Sequence, residues 1–345
     1  MTTKTIRKQF DPAFLSAALN CEITAVEVHP IDGNTPAEQG TSHAQVNGYM
    51  ADVFRLVLTG ERAPASVILK RQASDPKRAL IAERFHAYAK EHDFYQHLAS
   101  VIPGYVPHCY YQRDQPFVLL LEDLGLASIP NQSNGATHTQ CDLAITSLAH
   151  VHNQLNQHLK NDSLPSRPHF ADGFKAAALD MQTFGMKALN QMVDNPAVQF
   201  MQRYAQNAHQ FLPLFNNLPM HFSHMDYRND NLIYQPEKVV MIDWGESCIA
   251  PMGFDLGYYL VTSISVSQRR ERELTLLQSY LAGLDAGPSE EALKKAYLLS
   301  LPPAFYLAAL IIDQGDIDKG QLLASRCLAA IEDHLQELKG LYSFH

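Results

Sequence analysis

The chain has 345 residues, is 46% hydrophobic and 18% charged, and carries a formal net charge of −9. Its length exceeds what one hydrophobic core usually spans, and its composition excludes an intrinsically disordered chain. With no long Lys/Arg run, the acidic balance speaks against a nucleic-acid backbone as partner.

The longest apolar runs, such as "PPAFYLAALII" at 302–312, fall short of a bilayer span, and "MTTKTIRKQF" at the start lacks the apolar core of a signal peptide. Cys21, Cys109, Cys141, Cys248 and Cys327 are scattered, which supports neither a disulfide framework nor a zinc ribbon. The expectation is a cytoplasmic protein with no membrane or nucleic-acid partner.

In chain order, the first third reads as mostly strand. "DVFRLVLTG" (52–60) and "ASVILKR" (65–71) are predicted as a hairpin, separated by the turn-like "GERAP". A helix is predicted from about Pro76 to Ala99, with Ile81, Phe85, Tyr88, Tyr95 and Leu98 near the 3.6-residue period. "PFVLLLEDLG" (116–125) is an apolar strand running into two carboxylates, followed by a polar, turn-rich bridge.

From about Cys141 the texture turns helical, with Ile145, Leu148, Val151 or His152, Leu155 and Leu159 on one face. A second helical stretch, broken by "VDNPAV", covers roughly 172–215. Two short strands, "NLIY" (231–234) and "KVVMID" (238–243), flank a turn at Gln235-Pro236-Glu237, and the remainder from about 254 to 340 is mostly helical. The predicted class is α+β: a small β-rich lobe over 1–121 with one main helix, a hinge at 122–125, and a larger helical lobe over 126–345.

"HFSHMDYRNDN" (221–231) concentrates the chemistry. As a metal cage, using His221, His224 and Asp226 for a hydrolase, it lacks a helical apolar period and further His/Cys partners nearby. As a catalytic loop it fits better. His224-x-Asp226, with Asn231 five residues on and Asp243 of "IDWG" twelve further, has the spacing of phosphoryl-transfer enzymes of the kinase type. Such transfer needs a carboxylate to accept the proton of, or orient, the attacking hydroxyl, a role for Asp226. It also needs oxygen ligands for Mg2+, roles for Asn231 and Asp243, which a hairpin of the two strands would return to one edge. An Asx-rich polar turn is the plain alternative.

"HMDYRNDNLIY", "VVMIDWGES" and "PMGFDLGYYL" together resemble the signature of the aminoglycoside phosphotransferase and choline kinase-like superfamily. "DYRNDN" and "FDLGYYLVTSI" look closest to its ecdysteroid kinase-like branch and bacterial relatives. "VILK" (67–70), "EHDFYQHL" (91–98), "VPHCYY" (106–111), "LLLEDLG" (119–125) and "LAHVH" (148–152) agree in order, so the resemblance covers roughly 45–262. It implies a bilobal protein-kinase-like fold and an ATP- and Mg2+-dependent kinase acting on a small-molecule hydroxyl. A nucleotide-binding pseudokinase is the alternative on that fold, although its usual mark, loss of the catalytic Asp, the metal Asp or the strand Lys, is absent.

By the same resemblance Lys70 holds the α- and β-phosphates, paired with Glu91, or failing that Glu83. Glu122, Asp123 and Leu124 present backbone to the nucleotide base. His224 supports the loop and Asp255 braces it. His152 reads as a satisfied core histidine, and Arg228 and Asp230 as phosphate or substrate contacts or as solvated side chains. No G-x-G-x-x-G exists, so the phosphate-covering turn falls to "EQGTSHAQVNGYM" (38–50), whose glycines are Gly40 and Gly48. Met225 stands where the family often has Gly. Asp313, Asp316 and Asp318 read as a cation site or a solvated helix end.

Overall fold

An N-terminal pair of helices, α1 (Thr3–Gln9) and α2 (Pro12–Leu19), opens the chain. The strand-like reading of the first third did not anticipate them. The signal was Asp11-Pro12: the Asp11 carboxylate accepts from the Phe14 backbone N–H, and Pro12 occupies the first turn. The computed structural model describes residues 3–31, 50–125, 129–161 and 167–343. Gly40 and Gly48, with the turn expected of them, lie outside the described residues.

Strands β1 (Ala25–Pro30), β2 (Ala51–Thr59) and β3 (Ser66–Gln72) follow, then α3 (Pro76–Arg84) and α4 (Ala87–His97). The periodic stretch predicted as one helix is therefore two, because His86 takes a left-handed conformation at φ 55°. β4 (Cys109–Arg113) and β5 (Val118–Glu122) complete an antiparallel sheet in the order β1-β2-β3-β5-β4. Alternation sorts its faces. Val67 and Leu69 of β3 join Phe54, Leu56 and Leu120 in a core with Ile6, Phe10 and Leu15 of the helices. Lys70 is consequently on the opposite face.

The chain continues with α5 (His138–Asn161), α6 (Phe170–Asp180), one π-helical turn, α7 (Met186–Leu189), α8 (Pro196–Asn207) and the short strand β6 (Met220–Ser223). A hairpin of β7 (Leu232–Tyr234) and β8 (Val239–Met241) comes next. β9 (Cys248–Pro251) pairs with β6, and five helices close the chain: α9 (Phe254–Thr262), α10 (Val266–Ala282), α11 (Glu290–Asp313), α12 (Ile317–Asp333) and α13 (Leu335–Leu341). Two units result. The first runs to Asn131 and includes 230–235 and 239–246, so the β7/β8 hairpin belongs with the five-stranded sheet; the second holds the other residues.

The second unit is organised around α9 and α11. At Gly257 an added Cβ would sit 2.0 Å from Ser300 Oγ, so only glycine permits this approach of α9 to α11. The apolar run around 302–312 lies within a helix of 24 residues, long and apolar enough by length and composition to cross a membrane. Here 78% of its most apolar window is buried in the protein, as in a core helix. α11 contains Pro302 and Pro303. Pro303 has no N–H for the Leu299 carbonyl one turn back. The Tyr342 hydroxyl donates to that carbonyl at 2.8 Å.

Candidate active site

In the first unit, Lys70 Nζ lies 2.7 Å from Glu91 Oε2 and 2.8 Å from Asp243 Oδ1. Each arrives from a different element. Lys70 lies on β3 on the face away from Val67 and Leu69, paired with Leu119 of β5 and Val53 of β2. Glu91 is buried on α4, whereas the exposed Glu83 takes no part. Burial alone would lower the Lys70 pKa, but Asp243 and Glu91 outweigh it and raise it, so the ammonium stays charged. Burial pushes Glu91 up to about 7, against the pull of Lys70 and with Asp243 adding to the rise. One ammonium thus faces two carboxylates.

Asp243 is held from behind by Trp244, the chain's single tryptophan. The indole stacks on Phe94 of α4, with centroids 3.9 Å apart and planes 6° from parallel. Glu91 and Phe94 are three residues apart on α4, so the stack indexes Asp243 to Glu91. Asp243 has φ 65°, a left-handed conformation uncommon outside glycine and enriched at functional positions. Asn231 enters through the hairpin: the Ile242 N–H donates to the Asn231 carbonyl at 3.0 Å, next to Asp243. Asn231 and Asp243 thus adjoin at one end of the hairpin, with the hard oxygen donors that suit Mg2+. The surplus negative charge around Lys70 fits a divalent cation there.

The segment 122–124 uses its side chains structurally. Asp123 receives Arg55 at 2.6 and 3.1 Å, the Ser66 hydroxyl at 2.6 Å and the Gly125 N–H at 3.0 Å. Although burial pushes its pKa up, the Arg55 and Ser66 hydrogen bonds prevail and hold it below the usual carboxylate value. Glu122 accepts from the His108 N–H, and Leu124 packs beside Ile129, Ile233 and Val240. The Glu122 backbone N–H in turn donates to the His108 carbonyl at 2.8 Å.

In the second unit, the loop after β6 is strung along α9. Asp255 accepts from the backbone N–H groups of His224 at 2.7 Å and Met225 at 2.8 Å. It is fully buried; burial pushes its pKa up, but the His152 and backbone His224 hydrogen bonds win and hold it below the usual range. His152 bridges Asp255 at 3.2 Å and the Tyr280 hydroxyl at 2.7 Å, as a satisfied core histidine does. The His224 ring accepts the Asp226 N–H through Nδ1 at 3.3 Å. Asn229 bonds the Ser263 hydroxyl and carbonyl at the end of α9. Asp226 itself receives Arg228 Nε and the Tyr258 hydroxyl, each at 2.9 Å.

Sequence reasoning missed Tyr258 and Trp244 and left Arg228 open; Arg228 is in fact buried with its guanidinium on Asp226. For Trp244, being the sole tryptophan beside Asp243 was the available signal. Tyr258 carried none, since an aromatic on an apolar helix reads as core.

Of the residues of the alternative metal reading, His224 and Asp226 are bonded within the loop, whereas both ring nitrogens of buried His221 lack a hydrogen-bond partner among the described residues. The His221 ring faces that of His152 with centroids 4.0 Å apart, and burial, with His152 beside it, holds its pKa well below the usual histidine value. Among the described residues, no group of three His, Cys, Asp or Glu side chains is arranged to hold a metal ion. Asp316 caps α12 by accepting from the Lys319 N–H, and Asp313 lies 3.6 Å from Lys187.

Comparison with known proteins gives these geometries a family. Among solved structures, the chain is similar to a choline kinase from Cryptosporidium parvum, with 13% identity, 98% of this chain and 96% of that one covered, and a TM-score of 0.57. It is also similar to the choline kinase LicA from Streptococcus pneumoniae, at 14% identity, 99% of each chain and a TM-score of 0.53. A third is the aminoglycoside phosphotransferase APH(2")-IIa in complex with gentamicin, at 15% identity, 95% of this chain and 96% of that one, with a TM-score of 0.51. These likenesses establish an α+β fold of the bilobal protein-kinase-like kind. No match was found among curated proteins. The model of the phosphotransferase enzyme family matches residues 45–293, well over half of the sequence, and the chain belongs to that family.

Proposed function

We propose that the protein is an ATP- and Mg2+-dependent kinase that transfers the γ-phosphoryl group to a hydroxyl of a small molecule. The observation that carries this reading is the ion cluster of Lys70 with Glu91 and Asp243. A buried lysine fixed by a helix carboxylate and bonded to a candidate metal-binding carboxylate is the arrangement that kinase-type phosphoryl transfer uses.

In this reading Lys70 binds the α- and β-phosphates, and Glu91 keeps its ammonium in place. Backbone groups of 122–124 take the base. Asn231 and Asp243 would hold Mg2+, which when bound neutralises charge on the phosphate oxygens. Asp226 accepts a hydrogen bond from the acceptor hydroxyl and orients its oxygen toward the γ-phosphorus. As the new P–O bond forms, the bond to the ADP oxygen breaks, and the hydroxyl proton is lost toward Asp226. Catalysis is then mainly positioning and charge neutralisation.

The test is a titration with ATP, GTP and ADP, with and without Mg2+, followed by melting temperature and by Trp244 fluorescence. A nucleotide at a hundred times its dissociation constant adds about 2.7 kcal/mol of stability. A Mg2+-dependent ATP shift that weakens in Asp243→Asn is the expected result. No response to any nucleotide would overturn the reading.

A further inference from the structure

α9 and its capping residue Ser263 meet the loop in chain order. Asp255 holds residues 224 and 225, Tyr258 holds 226, and Ser263 holds 229, so the loop runs alongside the helix in register. Asp255 and Tyr258 are one turn apart, about 4.5 Å along the axis. Asp255 and Ser263 touch only loop backbone or the neighbouring Asn229 amide. Tyr258 alone of the three reaches the carboxylate of Asp226.

The Tyr258 hydroxyl donates to Asp226 Oδ1 at 2.9 Å, and Arg228 Nε donates to the same oxygen at the same distance. A carboxylate has one torsion that decides where each oxygen points. Two donors on one oxygen fix that torsion, and with it the direction of Oδ2. Both donors are themselves anchored. Tyr258 is 8% exposed on a helix that is otherwise buried, and Arg228 is 4% exposed. Burial, together with Asp226, raises the Tyr258 hydroxyl well above its ordinary value, so it remains a donor.

We propose that Tyr258 is a positioning residue, which with Arg228 clamps Oδ1 of Asp226 so that Oδ2 is aimed at the acceptor hydroxyl. This assignment rests on the kinase reading of Asp226. A hydroxyl oriented by a carboxylate must lie within hydrogen-bond reach, and a misplacement of about 1 Å costs on the order of 10²-fold in rate. The aromatic body of Tyr258 belongs to the core, which stacks it on Phe254. Its hydroxyl is the part that acts through Asp226, and Phe removes only that.

The experiment uses the full chain as wild type, Tyr258→Phe, Asp226→Asn and the double variant. ADP release from Mg2+-ATP with water as the acceptor gives kcat and the KM for ATP, and circular dichroism and melting temperature accompany each. The expected result is a loss of about 10- to 100-fold in kcat for Tyr258→Phe with the KM for ATP unchanged, and no further loss when Tyr258→Phe is added to Asp226→Asn. Equal losses in both backgrounds, or a raised KM at constant kcat, would overturn the positioning role and leave the kinase reading intact. Wild type that does not bind Mg2+-ATP overturns that reading, and the clamp falls with it. Should Tyr258→Phe lose its fold, the same cycle with Arg228→Met replaces it: the other donor to Oδ1 is removed, and additivity with Asp226→Asn is again the overturning result.

Discussion

Lys70 Nζ lies 2.8 Å from Asp243 Oδ1 although 173 residues separate them in the chain. The same ammonium serves buried Glu91, whose pKa is pushed up to about 7 from an ordinary 4.5. Between those two values the folded protein binds more protons at this site than the unfolded chain. Stability contributed here therefore falls as pH rises from about 4.5 to 7. Melting temperature followed over that window in wild type and Glu91→Gln should show a steeper decline in wild type. Parallel profiles would remove the charge conflict assigned to this cluster.

Asp226→Asn keeps the shape of the side chain and removes its charge. Turnover, measured as ADP release, should fall by about 10²- to 10⁴-fold, the usual worth of a positioned acid or base. Nucleotide affinity read from Trp244 fluorescence should stay within about twofold, because this reading assigns Asp226 to the acceptor hydroxyl and not to the nucleotide. Unchanged turnover would take Asp226 out of the mechanism.

Met225 has φ 69°. A side chain in the left-handed region costs about 1–2 kcal/mol, which glycine escapes, while glycine's extra freedom in the unfolded chain returns roughly half of that. Met225→Gly should therefore be more stable than Met225→Ala by about 1 kcal/mol in urea unfolding. Alanine equal to or better than glycine would contradict it.

The Tyr342 hydroxyl replaces the backbone donor that Pro303 lacks by bonding the Leu299 carbonyl at 2.8 Å. Tyr342→Phe should cost about 1–3 kcal/mol, the range for leaving a buried acceptor unsatisfied. In a Pro303→Ala background position 303 has an N–H of its own, so the same change should cost markedly less. A double-mutant cycle by chemical denaturation measures the difference, and strict additivity would show that the hydroxyl does not serve the proline gap.

His334 joins α10 to α13: Nε2 is 2.7 Å from Glu273 Oε1 and Nδ1 is 2.9 Å from Glu337 Oε2. Arg269, Arg270, Asp333, Tyr297 and Lys294 are also bonded into this network. Burial alone would lower the His334 pKa, but the hydrogen bond and charge of Glu273, then Glu337, raise it. Its contribution to stability is fully present below about 6.5 and is lost as pH rises through the higher folded value. The melting-temperature gap between wild type and His334→Gln should shrink across that rise. A gap constant with pH would mean that the imidazole packs without carrying charge.

Much of this was legible in order along the chain. β-branched and large apolar runs marked β2, β3 and β5, and helical periodicity marked α5 and the helices near the C-terminus. Asp226, Asn231 and Asp243 stood out by a spacing that phosphoryl transfer uses, and Lys70, Glu91 and Asp255 through the resemblance of the motifs around them. Local pattern failed where a single residue overrides it. His86 breaks a periodic helix by one left-handed φ, and an N-cap at Asp11 starts a helix in a region that otherwise reads as strand.

Other relationships had no sequence signal at all. Asp123 looks like the polar start of a loop, yet its carboxylate is occupied by Arg55, 68 residues away. Tyr258 looks like core until its hydroxyl is seen on Asp226, and Tyr342 looks like a terminal aromatic until its partner carbonyl is found. Periodicity and propensity are properties of neighbours in the chain, so the sequence determined the elements and the residue types available for chemistry. Which buried hydroxyl or guanidinium reaches which carboxylate depends on the packing of distant segments to within a few tenths of an ångström, and only the tertiary structure decided that.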